Sequence, residues 1–165
     1  MAENPVVTSV KKINTCINMN LNNNNINLQE LINGNIEELS DGALTSIGDN
    51  AFRECTKLTS INLPVCTSIG DYAFSSCKSL TSIDLPACTN IGTDAFKYCT
   101  ALTSIKLANA SKICTLSNSD AFKSTPIANK AGYIYVPDEL VEQYKKATNW
   151  SVYASQIKPL SAYTE

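Results

Sequence analysis

Cys55, Cys66, Cys77, Cys88 and Cys99 follow one another at 11-residue intervals, yet the residues around them recur only every 22. Aligned on the longer period, Leu58-Thr59-Ser60-Ile61-Asn62-Leu63-Pro64 is followed by Leu80-Thr81-Ser82-Ile83-Asp84-Leu85-Pro86 and by Leu102-Thr103-Ser104-Ile105-Lys106-Leu107-Ala108. A second segment travels with the first: Cys66-Thr67-Ser68-Ile69-Gly70-Asp71-Tyr72-Ala73-Phe74 is matched by Cys88 through Phe96, and earlier by Leu44 through Phe52. All four phenylalanines, Phe52, Phe74, Phe96 and Phe122, take this one position of the unit, the last of them four residues late. We assign that delay to a polar insertion between Ile113 and Asp120.

An 11-residue spacing is also the period of a right-handed coiled coil. Pro64, Pro86, Gly70 and Gly92 recur inside the units and exclude a continuous helix, and β-branched Thr and Ile with alternating polarity favour strands. Each unit therefore reads as a strand (Leu-Thr-Ser-Ile-x-Leu), a turn at Pro, a short extended piece (Thr-Ser-Ile), a Gly bend and a helical turn carrying Ala-Phe. Such a unit cannot bury its apolar side alone. Stacking puts Leu58, Leu80 and Leu102 in one column, Ile61, Ile83 and Ile105 in a second and the phenylalanines in a third, which makes a continuous core.

The pattern Leu-Thr-Ser-Ile-x-Leu-Pro, Ile-Gly-x-x-Ala-Phe, x-x-Cys-x-x-Leu resembles the BspA-type leucine-rich repeat over residues 35–127. The closing segment, with Thr125-Pro126-Ile127, Tyr133 to Leu140 and Ala147-Thr148-Asn149-Trp150, is similar to that of short members encoded by gut bacteria and their phages. The resemblance implies a short, curved, right-handed leucine-rich repeat solenoid of mixed β structure with short helical turns. It also implies a surface-exposed or virion-associated binding protein, and it brings no catalytic residues.

Residues 1–34 read as an N-terminal β cap. Ile17, Met19, Leu21, Ile26 and Leu28 alternate with asparagines around the run Asn22 to Asn25, the pattern of a hairpin with one apolar face. Its role is either a lid over the first repeat or an element for homo-oligomerisation or particle attachment. Residues 128–165 read as a C-terminal strand and helical cap. Tyr133 to Pro137 aligns with the main strand of a repeat, Asp138 is placed to cap a helix bearing Leu140, Val141, Tyr144 and Ala147, and Trp150, Tyr153, Ala154 and Ile157 continue at helical spacing.

The chemistry that the chain lacks narrows its function. It has no histidine, so Ser-His and Cys-His nucleophile pairs and histidine metal sites are unavailable to it. The seven cysteines keep the repeat spacing rather than a zinc-ligand spacing, and buried free thiols in columns are expected, because parallel Cβ vectors oppose bridging. Adjacent Glu37 and Glu38 face opposite sides of a strand, and Asp71, Asp94 and Asp120 lie at the Gly bend, where Asp commonly satisfies local backbone donors. No catalysis, cofactor or metal is expected. The net charge of −2 offers nothing to nucleic acid, and no apolar stretch reaches membrane-spanning length, so membrane insertion is not expected. The start, Met-Ala-Glu-Asn-Pro, lacks the regions of a signal peptide, which points to another route of export or to a trimmed chain.

What remains is the outward face of the strands. With Ile61 and Leu63 inward, Ser60, Asn62, Ser82, Asp84, Ser104 and Lys106 face out, and Tyr133 and Tyr135 continue that surface. Two exposed tyrosines beside a polar ladder suit a partner that is a cell-surface glycan or protein. The expectation is a non-catalytic adhesin-like module on a cell surface or virion. The alternative is a structural or assembly protein of a particle that acts through its N-terminal cap.

Overall fold

A computed structural model describes residues 38–40 and 44–164 of the chain. The hairpin expected from Ile17 to Leu28 lies outside the described residues. The main strands of the units, β1 (Glu38–Ser40), β3 (Ser60–Asn62), β5 (Ser82–Asp84) and β7 (Ser104–Lys106), join β9 (Tyr133–Val136) and β10 (Ile157–Pro159) in a six-stranded sheet of order β1-β3-β5-β7-β9-β10. The short Thr-Ser-Ile pieces form a second sheet, β2 (Ser46–Ile47), β4 (Ser68–Ile69), β6 (Asn90–Ile91) and β8 (Thr115–Leu116), in that order. Every pairing is parallel, and Ile61 faces Ile83, Ile83 faces Ile105 and Ile105 faces Ile134. Parallel neighbours one unit apart are what a repeat solenoid requires.

The apolar columns meet between the sheets. Leu58, Leu80 and Leu102, Ile61, Ile83 and Ile105, and Ile47, Ile69, Ile91 and Leu116 are all buried. Phe52, Phe74 and Phe96 stack with centroids 5.2 and 5.5 Å apart, and Phe122 follows at 5.5 Å. The delay before Phe122 originates earlier than its sequence position suggests. Cys114 Sγ lies 3.7 Å from Cys88 Sγ, and Leu116 pairs with Ile91, so Cys114 and Leu116 already hold repeat positions. The extra residues therefore bulge out in the turn between Leu107 and Cys114, and the segment from Ile113 to Asp120 is largely in register.

The segment carrying Ala-Phe is not a helical turn. Ala51, Arg53 and Cys55 donate their N–H groups to carbonyls three residues back, whereas Asn50, Phe52 and Glu54 donate to Asp71, Ala73 and Ser75 of the next rung. A helix would keep all of these donors internal. Left-handed residues turn alternate donors outward instead: Asn50, Tyr72 and Asp94 have φ of 58°, 55° and 53°, and Glu54, Ser76, Tyr98 and Ser124 have φ of 62° to 64°. Backbone bonding between rungs thus extends around the unit beyond the two sheets.

The aspartates at the Gly bend serve the same stacking, contrary to the local role read from the sequence. Asp49 Oδ1 accepts the N–H of Asp71 at 2.8 Å, and Asp71 Oδ1 accepts that of Thr93 at 2.6 Å. The rungs touch here. A Cβ on Gly92 would stand 2.5 Å from the Gly70 carbonyl carbon and 2.6 Å from the Asp71 nitrogen. Asp94 departs from the pattern. It binds Lys97 Nζ at 2.6 Å and Asn118 Nδ2 at 2.7 Å, and these two partners outweigh its burial and hold its carboxyl below the usual range. Asp120 pairs with Lys123.

The C-terminal residues close the array. Tyr144 Oη accepts the Cys114 N–H at 2.8 Å, Trp150 Nε1 donates to the Cys114 carbonyl at 2.7 Å, and Asn149 Nδ2 donates to the Leu116 carbonyl at 2.7 Å. These side chains replace the rung that would have come after β8. Trp150 and Tyr153 also cover the last ring of the phenylalanine column, at 6.0 and 5.5 Å from Phe122. Two details differ from the sequence reading. Asp138 caps no helix, since the 3-10 turn Asp138–Leu140 and the helix α1 (Val141–Lys146) start without a side-chain cap. The helical spacing from Trp150 to Ile157 ends in the 3-10 turn Ser151–Tyr153, and Ile157 begins strand β10, where hydrogen bonding to β9 outweighs the helical pattern.

The six described cysteines are buried free thiols, in the two expected columns. Cys77 and Cys99 donate to the carbonyls of Phe52 and Phe74 one rung back, while Cys66 and Cys88 donate to Ser68 and Asn90. Burial pushes the Cys66 thiol up to about 11, and burial likewise raises Tyr153, to about 12.

Two outcomes follow from this packing. Gly92→Ala should lower unfolding free energy in urea by about 1–3 kcal/mol, the usual cost of overpacking, because backbone rather than a flexible side chain blocks the new methyl group. The unfolded chain loses thiol protons near the ordinary value of 9.0, before folded Cys66 does, so above that value it holds fewer protons than the folded chain. The thiol contribution to stability should therefore be constant below about pH 8 and fall between about pH 9 and 11, by up to about 1.4 kcal/mol per pH unit for each such thiol. Urea titrations across that range measure it.

Candidate functional site on the six-stranded sheet

The register of the six-stranded sheet sets its outward side chains in two columns. One runs Ser60, Ser82, Ser104, Tyr133, and the other Asn62, Asp84, Lys106, Tyr135, Lys158. The inward residue between them, Ile61, Ile83, Ile105 or Ile134, is buried in each strand, so burial alternates as a one-sided sheet demands. The three serines are half-buried, Asn62 is exposed, and Tyr133 keeps 44% of its surface open.

The eight residues expected at this face all lie on it, but they do not form one group. Asp84 Oδ2 and Lys106 Nζ are paired at 2.8 Å. The Tyr133 and Tyr135 rings meet at 6.2 Å, tilted by 59°. Ser60 and Asn62, on β3, stand three strands from β9, roughly 14 Å at the usual strand spacing, and take no part in this cluster.

Two residues that sequence reasoning missed complete the cluster. Lys158, on β10, holds its ammonium 5.6 Å from the centroid of the Tyr133 ring. Tyr163 packs edge to face on Tyr135 at 4.9 Å and lies under Lys106 Nζ at 4.7 Å. In the sequence Lys158-Pro159 merely ends the helical spacing that runs from Trp150 to Ile157, whereas it belongs to an edge strand, where proline costs no ladder bond. No periodic signal marks Tyr163. Its position depends on the 3-10 turn Leu160–Ala162, which folds the chain back over the sheet. Partial burial, followed by the neighbouring Tyr133 and Tyr163 hydroxyls, raises the pKa of Tyr135, so its phenol stays neutral at physiological pH.

This surface can bind by ring stacking and hydrogen bonding. Among the described residues no group of three or more histidine, cysteine, aspartate or glutamate side chains is arranged to hold a metal ion, and no helix is long and apolar enough to cross a membrane.

Both the repeat and its stacking have a counterpart among known families. The family model for the BspA type leucine-rich repeat region matches residues 24–142 in six copies. The chain belongs to this family. BspA-type leucine-rich repeats suggest a binding module of a protein-binding or adhesin-like kind. No curated protein matches the chain. Of the two outer columns, one is serine in three successive units, Ser60, Ser82 and Ser104, and the other changes from Asn62 to Asp84 to Lys106.

The Asp84–Lys106 pair tests how firmly this face is built. Both side chains are partly exposed, at 35% and 26%, so solvent screens them. A double-mutant cycle with Asp84→Ala and Lys106→Ala should give a coupling of about 0.2–1 kcal/mol that shrinks with added salt.

Proposed function

We propose that this chain is a non-catalytic, adhesin-like binding module that recognises a glycan or protein at a cell or virion surface through the outer face of its six-stranded sheet. The observation that carries this reading is the contiguous group Tyr133, Tyr135 and Tyr163 with Lys106 and Lys158 at one end of an otherwise small and polar face. Tyrosine adds contact area with a polar tip at little entropic cost, and lysine supplies donors beside it. Membership of the BspA-type family supports binding over catalysis.

The size of the face bears on how it would be used. The nine outward residues of β3, β5, β7, β9 and β10 project to well under the ~800 Å² that one partner contributes to a standard interface. A single copy therefore binds weakly, and several copies displayed together supply avidity. The alternative role in particle assembly was tied to residues 1–34, which are not among those described.

Binding of labelled protein to intact bacteria, compared with a Tyr133→Ala/Tyr135→Ala variant, tests this reading. The expected result is saturable binding that falls at least about tenfold in the variant while its urea midpoint stays close to that of the parent. Equal binding by both proteins would remove the sheet face as the site.

A further inference from the structure

The C-terminal segment lies across the cluster just described. After β10 the chain makes the 3-10 turn Leu160–Ala162 and returns over β9, which brings Tyr163 onto Tyr135 and beneath the Lys106 ammonium. The segment is not a further strand of the sheet. One side chain anchors it: Asp138 Oδ1 accepts the Ser161 N–H at 3.1 Å, and the Asp138 carboxylate also draws the Ser161 hydroxyl and the Leu160 N–H. This is why Asp138, which caps no helix, is nonetheless placed where it is.

The place that Tyr163 fills has a definite chemistry. The Tyr135 ring meets the Tyr163 ring edge to face, and an ammonium lies over the Tyr163 ring, held in position by Asp84 at 2.8 Å. Both interactions need a π system in the occupant, since an aliphatic side chain offers no quadrupole to a cation or to a ring. The hold on Tyr163 is modest, because it consists of ring contacts and an exposed carboxylate anchor.

Resting on the reading of this face as the binding surface, we propose that Tyr163 is an internal, displaceable occupant of the site and that the partner is a protein presenting an aromatic side chain to the position between Tyr135 and Lys106. The segment Leu160–Tyr163 is then a strap. Partner binding competes with it, and the apparent affinity is reduced by the fraction of molecules in which the strap is closed.

The test uses the full chain, its Tyr163→Ala variant and an Asp138→Asn variant that leaves every ring in place but weakens the anchor. The probes are N-acetyl-tyrosinamide, N-acetyl-leucinamide and cellohexaose, followed through the NMR signals of the Lys106 side chain and the Tyr135 ring. N-acetyl-tyrosinamide should bind Tyr163→Ala about tenfold more tightly than the parent, and Asp138→Asn several-fold more tightly. N-acetyl-leucinamide should bind none of them measurably. Equal or weaker binding of N-acetyl-tyrosinamide by Tyr163→Ala would overturn the proposal, since Tyr163 would then be part of the site or irrelevant to it. Leucinamide or cellohexaose binding as well as tyrosinamide would overturn the aromatic partner. The outcome is separable from that of the cell-binding experiment: if the Tyr133→Ala/Tyr135→Ala variant loses cell binding while Tyr163→Ala gains no affinity, only the strap is rejected.

Discussion

One spacing governs this protein. Each rung must lie at the distance that parallel β pairing sets, about 4.8 Å, and every other contact between rungs has to accept it. Phenylalanine rings accept it as an offset stack near 5.5 Å. Threonine does so by passing its hydroxyl back to the preceding rung, as Thr81 does to Thr59 and Thr103 to Thr81. Gly92 accepts it because anything larger would enter the backbone of the rung below. The same spacing explains why left-handed residues recur in the turns: they aim alternate N–H groups along the stack, and the bonds so formed offset the conformational cost.

A stack built on one spacing has ends that it cannot satisfy by itself. At the C-terminal end the chain stops using backbone for this purpose and uses side chains. Tyr144, Asn149 and Trp150 supply the donors and the acceptor that another copy of β8 would have supplied, and Trp150 and Tyr153 cover the final phenylalanine. The six-stranded sheet is finished differently. Its last strand, β10, carries Lys158 and Pro159, both of which discourage pairing with a further strand.

The binding face is what the stacking leaves unassigned. Inward positions are held to Leu, Ile, Val, Ala, Cys and Phe, while one outward column changes from Asn62 to Asp84 to Lys106 without disturbing the core. The face gains its aromatic character where the repeat gives way to β9 and β10, because Tyr133 there takes the place of the small serine column while Tyr135 and Lys158 continue the other. A scaffold of this kind separates stability from specificity, so the same fold can carry many outward surfaces.

Much of this was legible in the residues. The period of 22 determined the units, the columns of Leu, Ile, Phe and Cys, and the outward placement of all eight candidate residues, because in a parallel stack a one-dimensional period becomes a three-dimensional column. Period could not say where chain outside the repeat goes. The helical spacing of Trp150, Tyr153 and Ile157 was real, but β9 offered Ile157 a full ladder, and pairing prevailed over pattern. Asp71 looked local because sequence shows only near neighbours, whereas the donor it serves, the Thr93 N–H, lies one rung away. Tyr163 belongs to the site solely because the chain folds back past Asp138. That contact joins residues with no shared period, so only the tertiary structure could decide it.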